Sequence, residues 1–175
     1  MAQPRLIVVS GPAGSGKTTL AHALARRLGC PAISRDEIKE GMVHAAPPGF
    51  LAAPGDPLTR RTLPVFFGVL RLLLEAGVTT VAEAAFQDHV WRPNLLPLLE
   101  FAEPRIVQCS VPAELALARR LRRAAAEPTR RAHADGHALD PDRFRRLALD
   151  APSVWVDTTD GYVPALEEIA AFAGG

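Results

Sequence analysis

Eight consecutive residues carry the strongest chemical signal in this chain: Gly11-Pro12-Ala13-Gly14-Ser15-Gly16-Lys17-Thr18. The apolar run Leu6-Ile7-Val8-Val9 precedes them, and Leu20, Leu24 and Leu28 follow at helical spacing. The pattern G-x-x-x-x-G-K-[ST], set between a strand and a helix, is that of a phosphate-binding loop. Its glycines let the backbone curl until successive N–H groups point inward at phosphate oxygens. The new helix adds the partial positive charge of its N-terminus, with Thr19 in its first turn. Lys17 supplies a full charge near the β- and γ-phosphates, and the Thr18 hydroxyl is placed to ligate Mg²⁺. Nucleotide binding is therefore the first expectation.

Carboxylates come next. Asp36 follows the short apolar segment Pro31-Ala32-Ile33. Ser34 and Glu37 form an S-x-x-E capping box, so a helix begins there with Asp36 in its first turn. In phosphoryl transfer one carboxylate orients the acceptor hydroxyl and takes its proton, and Asp36 is the candidate for that role. Lys39, three residues on, shares its helical face and is a candidate to hold an anionic part of the acceptor. Glu83 ends the β-branched run Val78-Thr79-Thr80-Val81-Ala82. A carboxylate at that point suits Mg²⁺, held through water. Gln87, Asp88 and Arg92 in the segment 84–93, and Phe50 in the Pro- and Gly-rich loop 45–57, are acceptor-site candidates.

Arginines gather later in the chain. Arg119 and Arg123 stand at i,i+4 spacing on one helix, and Arg130 and Arg131 lie in the polar stretch beyond. Guanidinium forks suit phosphate oxygens. A basic segment closing over ATP would also exclude water from the reaction. The turn Thr158-Thr159-Asp160-Gly161 is a candidate for the adenine side by its position.

The elements that must position these groups can be read from periodicity. Strands are expected at about 5–10, 31–33, 78–82, 105–109 and 154–156. Helices are expected at about 16–28, from Ser34 to near His44, at 58–76, 93–102, from Pro112 onward, from Asp140 to about Leu147, and at 164–173. Alternating short apolar strands and helices give an α/β protein with a parallel sheet. Ligands bind beyond the C-terminal ends of such strands. Ser10, Asp36, Glu83, Ser110 and Thr158 all fall at that edge.

Bulk properties fit one domain spanning residues 1–175. Of the 175 residues 48% are hydrophobic and 22% charged, and the formal net charge is +1. No global field therefore favours nucleic acid or membrane. Lys17 and Lys39 are the only lysines. Cys30 and Cys109 read as buried free thiols, without C-x-x-C or zinc spacing. No stretch reaches the length of a membrane span. The first strand begins almost at the N-terminus, so no signal peptide and a cytoplasmic location are expected.

GPAGSGKTTLA, SRDEIKEGM, VAEAAF, the arginine-rich helix and the late VDTT together resemble the small P-loop kinases. The resemblance is to single-domain AAA-type ATP-binding proteins allied to polynucleotide kinase, gluconate kinase, zeta toxin and chloramphenicol phosphotransferase. It implies a three-layer P-loop NTPase fold with a five-stranded parallel sheet of order 2-3-1-4-5. It also implies a mobile lid at about 124–138, and ATP- and Mg²⁺-dependent transfer to a hydroxyl. Arg35-Asp36-Glu37-Ile38-Lys39 matches the R-D-x-x-(R/K) segment of polynucleotide-kinase-like members, which carries Asp36 over as the base. Lys39 stands where arginine is usual there. A lid arginine is implied among Arg119, Arg123, Arg130 and Arg131. A small-molecule kinase is the preferred reading, with a metabolite, nucleoside, sugar or antibiotic as acceptor. A 5′-hydroxyl polynucleotide kinase is one alternative, and a nucleotide-dependent switch or ATPase without a small acceptor is another.

Overall fold

The computed structural model describes residues 3–46, 50, 53, 56–126, 144 and 146–175. Strand β1 (Arg5–Ser10) leads through the glycine-rich turn into α1 (Lys17–Leu28). Gly29 closes α1 in the left-handed conformation, donating to the Ala25 carbonyl. Then come β2 (Ala32–Ser34), α2 (Arg35–His44), α3 (Pro57–Glu75) and β3 (Thr80–Glu83). The chain continues through α4 (Asp88–Leu95), a 3₁₀ turn at Leu96–Glu100, β4 (Glu103–Ser110), α5 (Ala113–Ala126), β5 (Ser153–Asp157) and α6 (Leu166–Gly174).

The five strands form one sheet in the order β2-β3-β1-β4-β5. Every pairing is parallel, with Val9 opposite Glu83 on one side and opposite Val107 on the other. Strand β1 is wholly buried from Leu6 to Ser10, as a central parallel strand must be. Its side chains alternate between two cores. Leu6 and Val8 pack with Phe66, Leu70, Phe86, Trp91 and Leu95 of the α3–α4 layer. Ile7 and Val9 pack with Leu20, Leu24, Ile169 and Ala173 of the α1–α6 layer. The result is the three-layer α/β fold with the strand order that the sequence implied.

Two local expectations are corrected. The helix expected from Pro93 begins at Asp88, because Trp91 is drawn into the aromatic cluster of Phe66, Phe67 and Phe86. Pro93 consequently sits inside α4 and not at its start. The helix expected to run to Leu147 is not seen at 146–149, which are irregular; its start at 140–143 lies outside the described residues. Leu147 is instead buried under the sheet by its side chain alone. Glu83 is the last residue of β3, at the strand end where the sequence placed it.

Lys39 is also not where the sequence placed it. It is neither solvated nor open to an acceptor. Its ammonium is buried against Asp56 at 2.8 Å, and both side chains are under 5% exposed. Asp56 caps α3 as well, accepting from the Thr59 N–H at 2.7 Å and the Thr59 hydroxyl at 2.9 Å. The Lys39 substitution for the usual arginine thus belongs to the α2–α3 joint.

Burial raises the Asp56 pKa, but Lys39 and the two Thr59 donors outweigh it and hold the group at about 2, below its ordinary 3.8. A depressed carboxylate stabilises the fold above its unfolded pKa and loses that contribution as pH falls through the folded one. Urea denaturation is therefore expected to show stability dropping between about pH 4 and pH 2, with the drop diminished in Asp56→Asn. Lys39→Met, which strands a buried carboxylate, is expected to cost about 3–5 kcal/mol at neutral pH.

Candidate nucleotide and acceptor site

The phosphate-binding turn owes its shape to two glycines. Gly14 has φ +88°, and a Cβ there would collide with the Ala116 carbonyl of α5. Gly16 has φ +75° and is the N-cap of α1. Having no side chain, it leaves the first-turn N–H groups of α1 without a side-chain cap, and no acidic residue occupies that turn. Ser15 Oγ is buried without a hydrogen-bond partner among the described residues. Such a cradle of unpaired donors suits an anion.

Charge converges on one flank of this turn. Lys17 Nζ lies 3.5 Å from the Pro12 carbonyl and 3.8 Å from Glu83 Oε1. Glu83 is 1% exposed. Its Oε2 accepts a 2.6 Å bond from the Ser34 hydroxyl, while Oε1 accepts no hydrogen bond of ordinary geometry. Burial raises the Glu83 pKa; Lys17, Ser34 and Thr18 oppose that rise, and the Asp36 charge adds to it. A buried carboxylate with an orphaned oxygen beside the Thr18 hydroxyl and Asp36 fits a hard cation. Among the described residues no cluster of three or more His, Cys, Asp or Glu side chains forms a cage. An Mg²⁺ ion here would therefore complete its shell from phosphate oxygens and water, as Mg²⁺ usually does.

Asp36 stands in the first turn of α2, about one-third exposed, with Arg35 Nη1 at 2.9 Å from its carboxylate. Ser34 caps α2 as expected, its Oγ accepting from the Glu37 N–H at 3.5 Å, while the Glu37 carboxylate pairs with His22 at 2.6 Å. Ser34 therefore has two roles, one of which the motif alone did not reveal: it also holds Glu83.

The other flank is basic. A cavity of about 300 Å³ is lined by Gly14, Gly16 and Thr19 together with Arg119, Arg122 and Arg123 of α5, and by Gly161 and Tyr162. Arg119 is fixed there by bonds to the Thr158 and Thr159 carbonyls at 2.8 and 3.0 Å. Thr158 itself does not face this cavity as expected for an adenine contact. It is buried, and its hydroxyl donates to the Ser15 carbonyl at 2.7 Å. Its N–H donates to the Ser110 carbonyl at 3.0 Å. Thr158 thus staples the phosphate loop to the ends of β4 and β5.

The remaining candidates divide. Gln87 is the half-buried N-cap of α4 and uses its carbonyl on the Val90 and Trp91 N–H groups. Arg92 is exposed on α4, 3.8 Å from Asp88, and lines neither cavity. Phe50 is half-buried. Arg130, Arg131 and most of the expected lid lie outside the described residues. Cys109 is a buried free thiol, its pKa pushed up to about 12 by burial, and Cys30 is a half-buried one.

A family model for the AAA domain, AAA_33, matches residues 6–147. The chain belongs to this AAA domain family. The matched range covers the phosphate loop, α2 with Asp36, β3 with Glu83, and α5. Among solved structures the AAA domain superposes on one from Chloroflexus aurantiacus described as a provisional kinase, with TM-score 0.80, 24% identity, and coverage of 97% of this chain and 96% of that one. It also superposes on the APS kinase CysC of Mycobacterium tuberculosis in complex with AMPPNP and APS, with TM-score 0.65, 16% identity, and coverage of 98% and 95%. At these identities the likeness is one of fold. By sequence it is 30% identical over 195 aligned positions to a tRNA dimethylallyltransferase of Anaeromyxobacter sp. (strain Fw109-5), covering 85% of this chain. The chain spans less than two thirds of the length of the curated relatives it matches. No helix among the described residues is long and apolar enough to cross a membrane.

Thr158→Val removes the staple and leaves the Ser15 carbonyl unpaired in the interior. It is expected to cost about 1–3 kcal/mol of stability and to weaken ATP binding in parallel. Denaturation and isothermal titration calorimetry on the same preparation check both. A variant matching the parent in the two measurements would show that the turn holds its shape without Thr158.

Proposed function

We propose that this protein is a kinase that transfers the γ-phosphate of ATP to a hydroxyl of a small molecule. One observation carries the reading. Two carboxylates from neighbouring strand ends, Asp36 and Glu83, stand on the flank of the phosphate loop where Lys17 points. A loop that only gripped nucleotide would need the lysine and the backbone. A carboxylate at the γ-phosphate end adds a place for the acceptor's proton.

The geometry supports the following roles. The backbone of residues 11–16 and the first turn of α1 hold the phosphates. The basic cavity beside Gly14, Gly16 and Thr19 takes the nucleoside end of ATP. Lys17 balances charge at the β- and γ-phosphates. Thr18 and Glu83 are the residues that would hold Mg²⁺, which when bound offsets the negative charge of the transferring group. Asp36 accepts the proton as the acceptor oxygen forms its bond to the γ-phosphorus. The bond from that phosphorus to the β–γ bridging oxygen breaks, and ADP leaves with the electron pair. Such chemistry depends mainly on position and charge.

The likeness to tRNA dimethylallyltransferase favours a second reading, in which the acceptor is a nucleic acid. The formal net charge of +1 argues for a compact acceptor instead, because nucleic-acid binding draws on many phosphate contacts.

The test is ADP release from Mg·ATP across nucleosides, sugars, other alcohols, 5′-hydroxyl oligonucleotides and tRNA, with mass spectrometry of each product. A small acceptor gaining one phosphate is the expected result. Phosphate on an oligonucleotide end would move the assignment to polynucleotide kinase, and partner-stimulated hydrolysis with no phosphorylated product would move it to a switch. Lys17→Ala is expected to lower transfer roughly a hundredfold or more in a folded protein. Asp36→Asn should keep ATP affinity and lose about 10²–10⁴-fold in turnover. Parent-like turnover in Asp36→Asn would remove Asp36 from the mechanism.

A further inference from the structure

A second cavity, of about 580 Å³, is lined by Pro12 of the phosphate loop, by Gln108 and Ser110 of β4, by Trp155 of β5, and by Phe144, Arg146 and Ala148. The two touch the loop at different residues. The basic cavity meets it at Gly14 and Gly16, whereas this one meets it at Pro12. Pro12 is the residue whose carbonyl lies 3.5 Å from Lys17 Nζ. This cavity therefore meets the loop, from the side of β4 and β5, at the residue whose carbonyl the lysine ammonium approaches. That shared contact points to the acceptor side.

Its lining is chemically distinctive. Trp155 of β5 stands 51% exposed on the same sheet face as Gln108, its register partner on β4. The α3–α4 layer that covers β1 and β3 does not cover this tryptophan. Gln108 is the polar residue in an otherwise apolar run of β4, and it is buried, donating to the Leu147 carbonyl at 3.3 Å. Phe144 and Arg146 close the outer wall, and the Arg146 guanidinium lies over the Trp155 ring at 5.3 Å from its centroid. Asp88 completes the inner wall, its carboxylate occupied by the Ala148 N–H at 2.9 Å. That bond ties Ala148 to the first turn of α4.

A half-exposed indole already carrying one planar group is a stacking platform. We infer that this cleft is the acceptor subsite and that it selects acceptors bearing a planar aromatic ring, stacked on Trp155, with their hydroxyl arm directed past Pro12 toward Lys17 and Asp36. The inference deepens the kinase reading and rests on it. It also accounts for the anchoring of the acceptor without Lys39, which is committed to Asp56. An aromatic ring offers recognition through stacking where an anionic group would need that cation.

Binding can be measured without turnover. Trp91 is buried in the aromatic core, so Trp91→Phe leaves Trp155 as the one tryptophan and its fluorescence as the reporter. With AMPPNP saturating the donor site, adenosine and 1-phenylethane-1,2-diol serve as probes of heteroaromatic and benzene rings, and gluconate as the ring-free control. Saturable quenching by at least one ring compound and none by gluconate is expected. The ring that binds tells which aromatic source fits. In the parent background, Trp155→Leu is expected to weaken that binding by about tenfold or more, since one stacked ring contributes on the order of 1–3 kcal/mol, measured by calorimetry. In turnover the loss should appear in KM for the ring-bearing acceptor, with KM for ATP unchanged.

Quenching by AMPPNP alone, with no further response to either ring, would assign the cleft to the donor nucleotide and overturn the inference. So would efficient phosphorylation of gluconate or another polyol with Trp155→Leu equal to the parent, an outcome that leaves the kinase reading standing. Ring binding at Trp155 without transfer to any hydroxyl would instead overturn the kinase reading and keep the subsite.

Discussion

Glu83 and Lys17 face each other across 3.8 Å in a region almost closed to water. Two opposite charges taken out of solvent lose hydration that a single long contact does not restore. Among the described residues one carboxylate oxygen has no hydrogen bond of ordinary geometry, and the lysine otherwise reaches a backbone carbonyl. An arrangement of this kind is an incomplete charge set. It is completed by something with both signs, such as a phosphate chain carrying a divalent cation. The rest of the fold serves this point: β1 brings the loop, β3 the carboxylate, and β2 the hydroxyl of Ser34 that orients it.

The sheet order gives the site its direction. Because β3 and β2 lie on one side of β1, their acidic ends meet the loop on the flank of Lys17. Because β4 and β5 lie on the other, their ends receive α5 with its arginines and the turn of Thr158. The same loop is thereby acidic on one flank and basic on the other. A nucleotide bound to it would meet opposite charge on its two flanks. Parallel strands produce this result at no further cost in design, since all their C-terminal ends share one edge.

The joint between α2 and α3 shows how one residue can keep its position in a motif and change its role. Lys39 occupies the second basic position of the R-D-x-x-(R/K) segment, but its side chain is spent on Asp56. Arginine presents a broad fork, while lysine is a compact point charge that a single buried carboxylate can satisfy. The α2–α3 joint gains a fixed connection, and the neighbouring Asp36 stays partly exposed in the first turn of α2.

The sequence by itself determined the phosphate loop, the alternating α/β plan, the N-cap at Ser34 and the edge on which Asp36 and Glu83 would meet. These are local signals: glycine spacing, apolar periodicity and short-range capping, each set by backbone sterics within a few residues. What tertiary structure decided was every pairing across long separations. Lys39 with Asp56, Thr158 with Ser15, Asp88 with Ala148, and Gln108 beside Trp155 join segments that no local pattern relates. The start of α4 shifted for the same reason, because Trp91 packs against Phe66 and Phe67 from a helix away. Gln108, in the β4 run RIVQC, carries no such local signal. Its meaning required the register that sets it beside an uncovered tryptophan, since only the packing of whole layers decides which ring is buried and which is left open to a ligand.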